Sequence, residues 1–136
     1  MNRIKIVKVK KFEDNRGKVI KMLNKKDKLF SKFGEIYFTT IKPRKIKAWR
    51  MHTKNICHLL VIKGKIVLKI LHKNKVKNIK LSEHNNFLVK IPNNYWFGMK
   101  NLGKTEVIVA NLMDDVHTET EVKRLEHNYF KKINWQ

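Results

Sequence analysis

A chain of 136 residues is the size of one domain around one core, so a single domain spanning 1–136 with one site is expected. No apolar run approaches the roughly 20 residues that cross a bilayer, and the lone Cys57 excludes an internal disulfide or a multi-thiolate zinc site. The formal net charge of +21, from 32 Lys and Arg against 11 Asp and Glu, raises nucleic acid first, but no zinc-finger, helix-turn-helix or aromatic-rich RNA-binding pattern organises it.

The start, Met1 to Phe12, alternates Lys with Ile and Val instead of building a signal-peptide core, which together with Cys57 predicts a cytoplasmic protein with no membrane partner. Strands are then expected at Ile4 to Lys10, Lys18 to Leu23 and Glu35 to Ile41. In the third of these the polar members fall at every second position, so Glu35, Tyr37 and Thr39 share one face and Ile36 and Phe38 the other. On an ordinary strand that polar face meets water; in a barrel with a ligand cavity it lines the site.

Ala48 to His52 is the next strand, and its spacing brings Arg50 and His52, a fixed cation and a titratable imidazole, to one side. His58 lies six positions further, in the predicted strand Ile56 to Ile62, where Cys57 reads as a small buried residue. Lys65 to His72 and Lys75 to Leu81 follow, separated by Gly64 and Asn74 turns that predict three consecutive antiparallel strands. Asn86 to Ile91, Trp96 to Asn101 and Glu106 to Leu112 complete ten strands. Of the three successive aromatics Tyr95, Trp96 and Phe97, at least one should line a pocket or interface. At the end, Thr118 as a cap with Glu119, Glu121 and Lys123 to Glu126 predicts a short C-terminal helix.

Ten short strands separated by turns make the fold class all-β, a sandwich or barrel. A divalent metal needs several ligands at compatible positions. His52, His58 and Glu35 do not supply them, since Lys54 stands two positions after His52 and no carboxylate occurs between Glu35 and Glu83. No metal and no other cofactor is expected.

The order of motifs is familiar at this point. Glu13-Asp-Asn-Arg-Gly17, Phe33-Gly-Glu-Ile-Tyr37, Arg50-Met-His52, Gly64, Ile91-Pro92, Ala110-Asn-Leu-Met-Asp114 with Glu121, and the Ile133-Asn-Trp135 ending resemble the cupins that remodel thymidine-diphosphate-linked keto sugars. The resemblance implies a cupin or jelly-roll barrel, a dTDP-linked keto sugar as substrate, and a homodimer whose N-terminal strands help close the site. Within that group the 3,5-epimerases are typically longer and carry helper residues whose places here fall on Trp49, Cys57, Phe97 and Val116. The 3,4-ketoisomerases are about this length and place a Tyr before the catalytic His, as Tyr37 precedes His52, although the first His of their His-x-His element falls on Arg50. The resemblance thus implies an isomerase that moves a ketone between carbons 4 and 3 through an enediol. On that reading His52 is expected to be the base, Tyr37 to relay protons and Arg50 to stabilise enolate charge, with Arg16, Glu35, Thr39, His58, Tyr95 and Trp96 expected to bind substrate. A 3- or 3,5-epimerase, and a non-enzymatic cupin that binds an anion or nucleotide sugar, remain as alternatives.

Overall fold

The computed structural model describes residue 1 and residues 3–136. Twelve strands follow in chain order: β1 (Lys5–Lys8), β2 (Lys10–Asp14), β3 (Gly17–Lys21), β4 (Glu35–Ile41), β5 (Ile46–His52), β6 (Cys57–Lys63), β7 (Lys65–His72), β8 (Lys75–Ser82), β9 (Phe87–Ile91), β10 (Trp96–Asn101), β11 (Val107–Met113) and β12 (Val122–Arg124). They form two five-stranded antiparallel sheets, ordered β1-β9-β6-β11-β4 and β12-β5-β10-β7-β8, with β2 and β3 as a separate hairpin. This is the expected all-β, cupin-like jelly roll, and the ranges of β4, β7 and β10 match the sequence reading.

Two expectations fail, each for a reason visible in the packing. There is no helix among the described residues: the predicted C-terminal helix stops at one turn, Glu121 N–H to Thr118 O, and Val122–Arg124 then pairs with β5. Edge pairing and burial of Val122 and Glu121 outweigh the weak intrinsic preference of this segment for helix. Nor do β6, β7 and β8 form one meander. The chain turns at Gly64, at φ +90°, from one sheet into the other, so only β7 and β8 pair. A β-carbon there would stand 2.6 Å from the Val107 side chain. Lys73 and Asn74, both with positive φ, close the β7–β8 hairpin as a two-residue turn.

The apolar core lies between the sheets and draws on alternate residues of the central strands, among them Cys57, Leu59 and Val61 of β6, Ile66, Leu68 and Ile70 of β7, and Val107, Val109 and Met113 of β11. Each sheet is also covered on its outer face. Segment 22–34 lies against the first, where Leu29 O accepts from Lys90 Nζ at 2.9 Å. The C-terminal segment covers the second: Phe130 and Trp135 pack on Trp49, with ring centroids 5.3 and 5.2 Å away, and Trp49 Nε1 donates to His127 O. Burying an indole of about 200 Å² at ~25 cal/mol/Å² is worth about 5 kcal/mol, enough to hold an irregular segment in place.

Some large hydrophobic residues stay outside the core. Phe12 and Val19 of the β2–β3 hairpin and Phe38 on the outward face of β4 are each more than half exposed.

Candidate active site

Strand alternation brings the polar side chains of β4, β5 and β11 inward on one side of the sandwich. Tyr37 on β4 and Asn111 on β11 sit opposite each other in register, and Asn111 Nδ2 donates to the Tyr37 hydroxyl at 2.9 Å. Arg50 comes from the facing sheet and its guanidinium donates to the same hydroxyl at 3.4 Å. Two residues along β5 on that face is His52, of which only 2% is exposed.

His52 is oriented by the segment that the sequence reading made helical. Register pairing of Val122 with His52 carries Glu121 beside the ring, and Nδ1–H donates to the two carboxylate oxygens at 2.9 and 3.1 Å. The same carboxylate accepts from the backbone N–H groups of Asn55 (2.9 Å) and Lys54 (3.3 Å). With the proton held on Nδ1, the lone pair is on Nε2, a buried atom with no hydrogen-bond partner among the described residues. The ring lies nearly parallel to Phe97 at 6.1 Å and edge-on to His117 at 6.4 Å.

Burial lowers the His52 pKa, and the hydrogen bond and charge of Glu121 only partly oppose it, so the imidazole is neutral at pH 7. For Glu121, burial alone would raise the pKa, but the hydrogen bonds from Asn55 and His52 outweigh it and hold the carboxylate ionised. Burial raises the Tyr37 pKa despite the neighbouring Arg50, which keeps the phenol protonated. The pocket thus holds a neutral base, a protonated donor and a fixed cation. Burial pushes the Cys57 thiol up to about 12, so it is inert packing.

A cleft of about 630 Å³ opens beside these groups, lined by Thr39, Arg50, Phe97, Met99, Arg124 and Tyr129 among others. Arg50 and Phe97 form its inner wall and stand against Tyr37 and His52 respectively. Of the residues expected in the site, Thr39 and Arg50 line this cleft, while Tyr37 and His52 are not among its lining residues and adjoin it through Arg50 and Phe97. Glu35 is on the same inward face and accepts from His117 N–H at 3.0 Å.

Four others are placed elsewhere. His58 points to the outer side of the first sheet, fully buried, with its ring nitrogens at Leu112 O and Leu29 O, so it anchors segment 22–34. Tyr95 is buried and stacked on His72, away from this cleft. Trp96 faces outward against Phe130, and its neighbour Phe97 takes the cleft position. Arg16 is at the exposed tip of the β2–β3 hairpin, paired with Asp14. Conversely, the sequence reading assigned no role to Asn111 or His117, and it picked Tyr95 and Trp96 over Phe97 from the aromatic triplet. It quoted Glu121 in a motif without seeing that it orients His52.

One group among the described residues brings three metal-ligating side chains together: His52, His117 and Glu121 have donor atoms within 4.8 Å of one another. The sequence reading overlooked this group because His117 and Glu121 were not weighed as ligands. As arranged, Glu121 is occupied by His52 and two backbone donors, and His117 Nε2 lies 3.0 Å from Glu119, so the set serves hydrogen bonding.

Comparison with known proteins agrees with this architecture. The family described as polysaccharide biosynthesis C-terminal domain matches residues 12–124. The dTDP sugar isomerase from Desulfovibrio desulfuricans is similar in structure at a TM-score of 0.89 and 27% identity, over 93% of this chain and 86% of that one. A 3,4-ketoisomerase from Helicobacter canadensis matches at 0.78 and 25% identity, over 90% and 91%. The dTDP-4-dehydrorhamnose 3,5-epimerase from Bacillus anthracis, solved with TDP and PPi bound, shares the fold at 0.85 and 19% identity, over 98% and 85%. No curated relative matches the chain.

Proposed function

The chain belongs to the polysaccharide biosynthesis C-terminal domain family, and from that membership we propose that it is a dTDP-sugar isomerase which moves the ketone of a dTDP-4-keto-6-deoxyhexose from carbon 4 to carbon 3. One observation carries the reading: a buried imidazole whose Nδ1 is fixed by a carboxylate and whose Nε2 is left without a partner, beside a phenol held by a guanidinium. His52 Nε2 takes the proton from carbon 3, and Arg50 offsets the charge that develops on the carbonyl oxygen. Protonated His52 returns that proton to the oxygen on carbon 4 to give the enediol. Tyr37, protonated at neutral pH, then delivers a proton to carbon 4 while His52 takes the proton of the carbon 3 hydroxyl, leaving the 3-ketone, and the two side chains are restored by proton exchange with solvent. Because Nε2 is shielded from solvent, a neighbouring side chain must turn aside for the sugar to reach it. The structural likeness to a 3,4-ketoisomerase at 25% identity supports this branch. Product identity tests it: the ketone carbon signal of TDP-4-keto-6-deoxyglucose should move from position 4 to position 3, whereas inversion with the ketone still at 4 would assign an epimerase.

The pH profile follows from the directions of the two shifts. His52 must be neutral to act, and its lowered pKa keeps it neutral below the ordinary value of about 6.5. kcat/KM should therefore fall on the acid side with a midpoint under about 6.5, and loss through Tyr37 ionisation should come only above its ordinary value of about 10. A midpoint above pH 7 would contradict His52 as the base.

No step above needs a metal. Prolonged chelation followed by desalting should leave the rate unchanged. Activity lost on chelation and restored by one divalent ion would instead make His52, His117 and Glu121 its ligands and overturn the mechanism.

Assembly is the third expectation. Phe12, Val19 and Phe38 are apolar, exposed and on sheet edges or the free hairpin, which suits them to a second copy. We infer a homodimer in which the β2–β3 hairpin of one protomer brings Arg16 toward the diphosphate in the other. A fully active monomer by light scattering at micromolar concentration would contradict it.

A further inference from the structure

A second cleft, of about 370 Å³, lies apart from the catalytic groups and plays no part in the chemistry above. It is lined by Met1 and Arg3 ahead of β1, by His72, Lys73 and Lys75 at the β7–β8 turn, and by Asn93, Asn94 and Tyr95 between β9 and β10. Two separate segments therefore supply its cationic side chains, Arg3 ahead of β1 and Lys73 with Lys75 at the β7–β8 turn, while the third contributes neutral polar groups. Its described lining includes no acidic residue, and Arg3, Lys73 and Lys75 form no ion pair among the described residues, whereas Arg16 and Arg124 have carboxylate partners.

The cleft is also rigidly built. Its floor is the His72 ring stacked face to face on the buried Tyr95, 3.9 Å between centroids and 9° from parallel. Asn93 Nδ2 donates to Thr53 O at 3.2 Å and Asn94 N–H to His52 O at 2.7 Å, which pins the wall to the end of β5. Lys73 and Asn94 both sit at positive φ, Lys73 in the two-residue turn between β7 and β8. Concentrated positive charge on a fixed concave surface is relieved by an anion that carries several negative charges in a small volume.

We propose that this cleft is a binding site for an oligophosphate anion, the class that includes pyrophosphate and tripolyphosphate, distinct from the site that contains Arg50. The test is calorimetric titration of the whole protein with inorganic tripolyphosphate, pyrophosphate and phosphate. Tripolyphosphate should bind most tightly. Its affinity should fall about tenfold or more in an Arg3→Gln/Lys73→Asn variant, since two of the converging charges are gone. Asparagine tolerates the positive φ of Lys73, so this variant should melt as the parent does. A Lys10→Gln/Lys26→Gln variant carries the same net charge, with both changes outside the cleft, and should bind as the parent does; Arg50→Gln should retain the same event. Equal affinity in the cleft variant and the parent, equal weakening in both double variants, loss of the event in Arg50→Gln, or no binding of any phosphate would each overturn the proposal. Should the first variant melt early, Lys75→Gln replaces it under the same criteria.

Discussion

Replacing His52 with asparagine is expected to lower kcat on the dTDP-keto sugar by a factor of about 10² or more, with thymidine diphosphate binding nearly unchanged. The asparagine amide keeps a donor for Glu121 but offers no basic lone pair, so the carbon 3 proton has no acceptor of suitable pKa. The other imidazole nearby, His117, is already engaged with Glu119. Activity within a few-fold of the parent would remove His52 from the chemistry. Parallel loss of nucleotide binding would make its role structural.

Glu121→Gln is expected to be nearly as damaging although Glu121 does not reach the cleft. The carboxylate accepts from His52 Nδ1 and from two backbone N–H groups. An amide offers one acceptor oxygen and turns donors toward the rest, so at least one buried donor is orphaned, at about 1–3 kcal/mol. Freed from the carboxylate, the ring can place its proton on Nε2, where it blocks the base, and a loss of kcat on the order of 10² should follow. A purely structural role would lower stability alone. A positioning role also moves the pH profile: Glu121 raises the His52 pKa, so its removal shifts the acid limb further down. An acid limb that stays in place, with kcat intact, would contradict the pairing seen here.

How far the sequence could be read follows from which interactions are local. Glu35 to Ile41 is a legible strand because its alternation is two-sided and its bounds are punctuated, and the same alternation correctly put Tyr37 and Thr39 on one face and Arg50 with His52 on another. Alternation stops being informative at a break. His58 is an even step from His52, yet the chain turns between Thr53 and Ile56, the parity resets, and the inward residues of β6 are Cys57, Leu59 and Val61. The Glu121 partnership was out of reach for a different reason: it links residues 69 apart through a three-residue edge strand whose composition favours helix. The aromatic triplet was read correctly as unable to face one way, but which ring enters the cleft is set by the pairing of Phe97 with Arg50, which the sequence does not encode locally.

Incubation with TDP-4-keto-6-deoxyglucose in deuterium oxide, followed by NMR at carbons 3, 4 and 5, tests the central claim most directly. Removal of the carbon 3 proton by His52 and collapse toward carbon 4 predict a 3-ketone, solvent deuterium at carbon 4, and an unexchanged carbon 5. Deuterium at carbon 5 with the ketone still at carbon 4 would contradict the 3,4-isomerisation and assign epimerase chemistry to the same pocket.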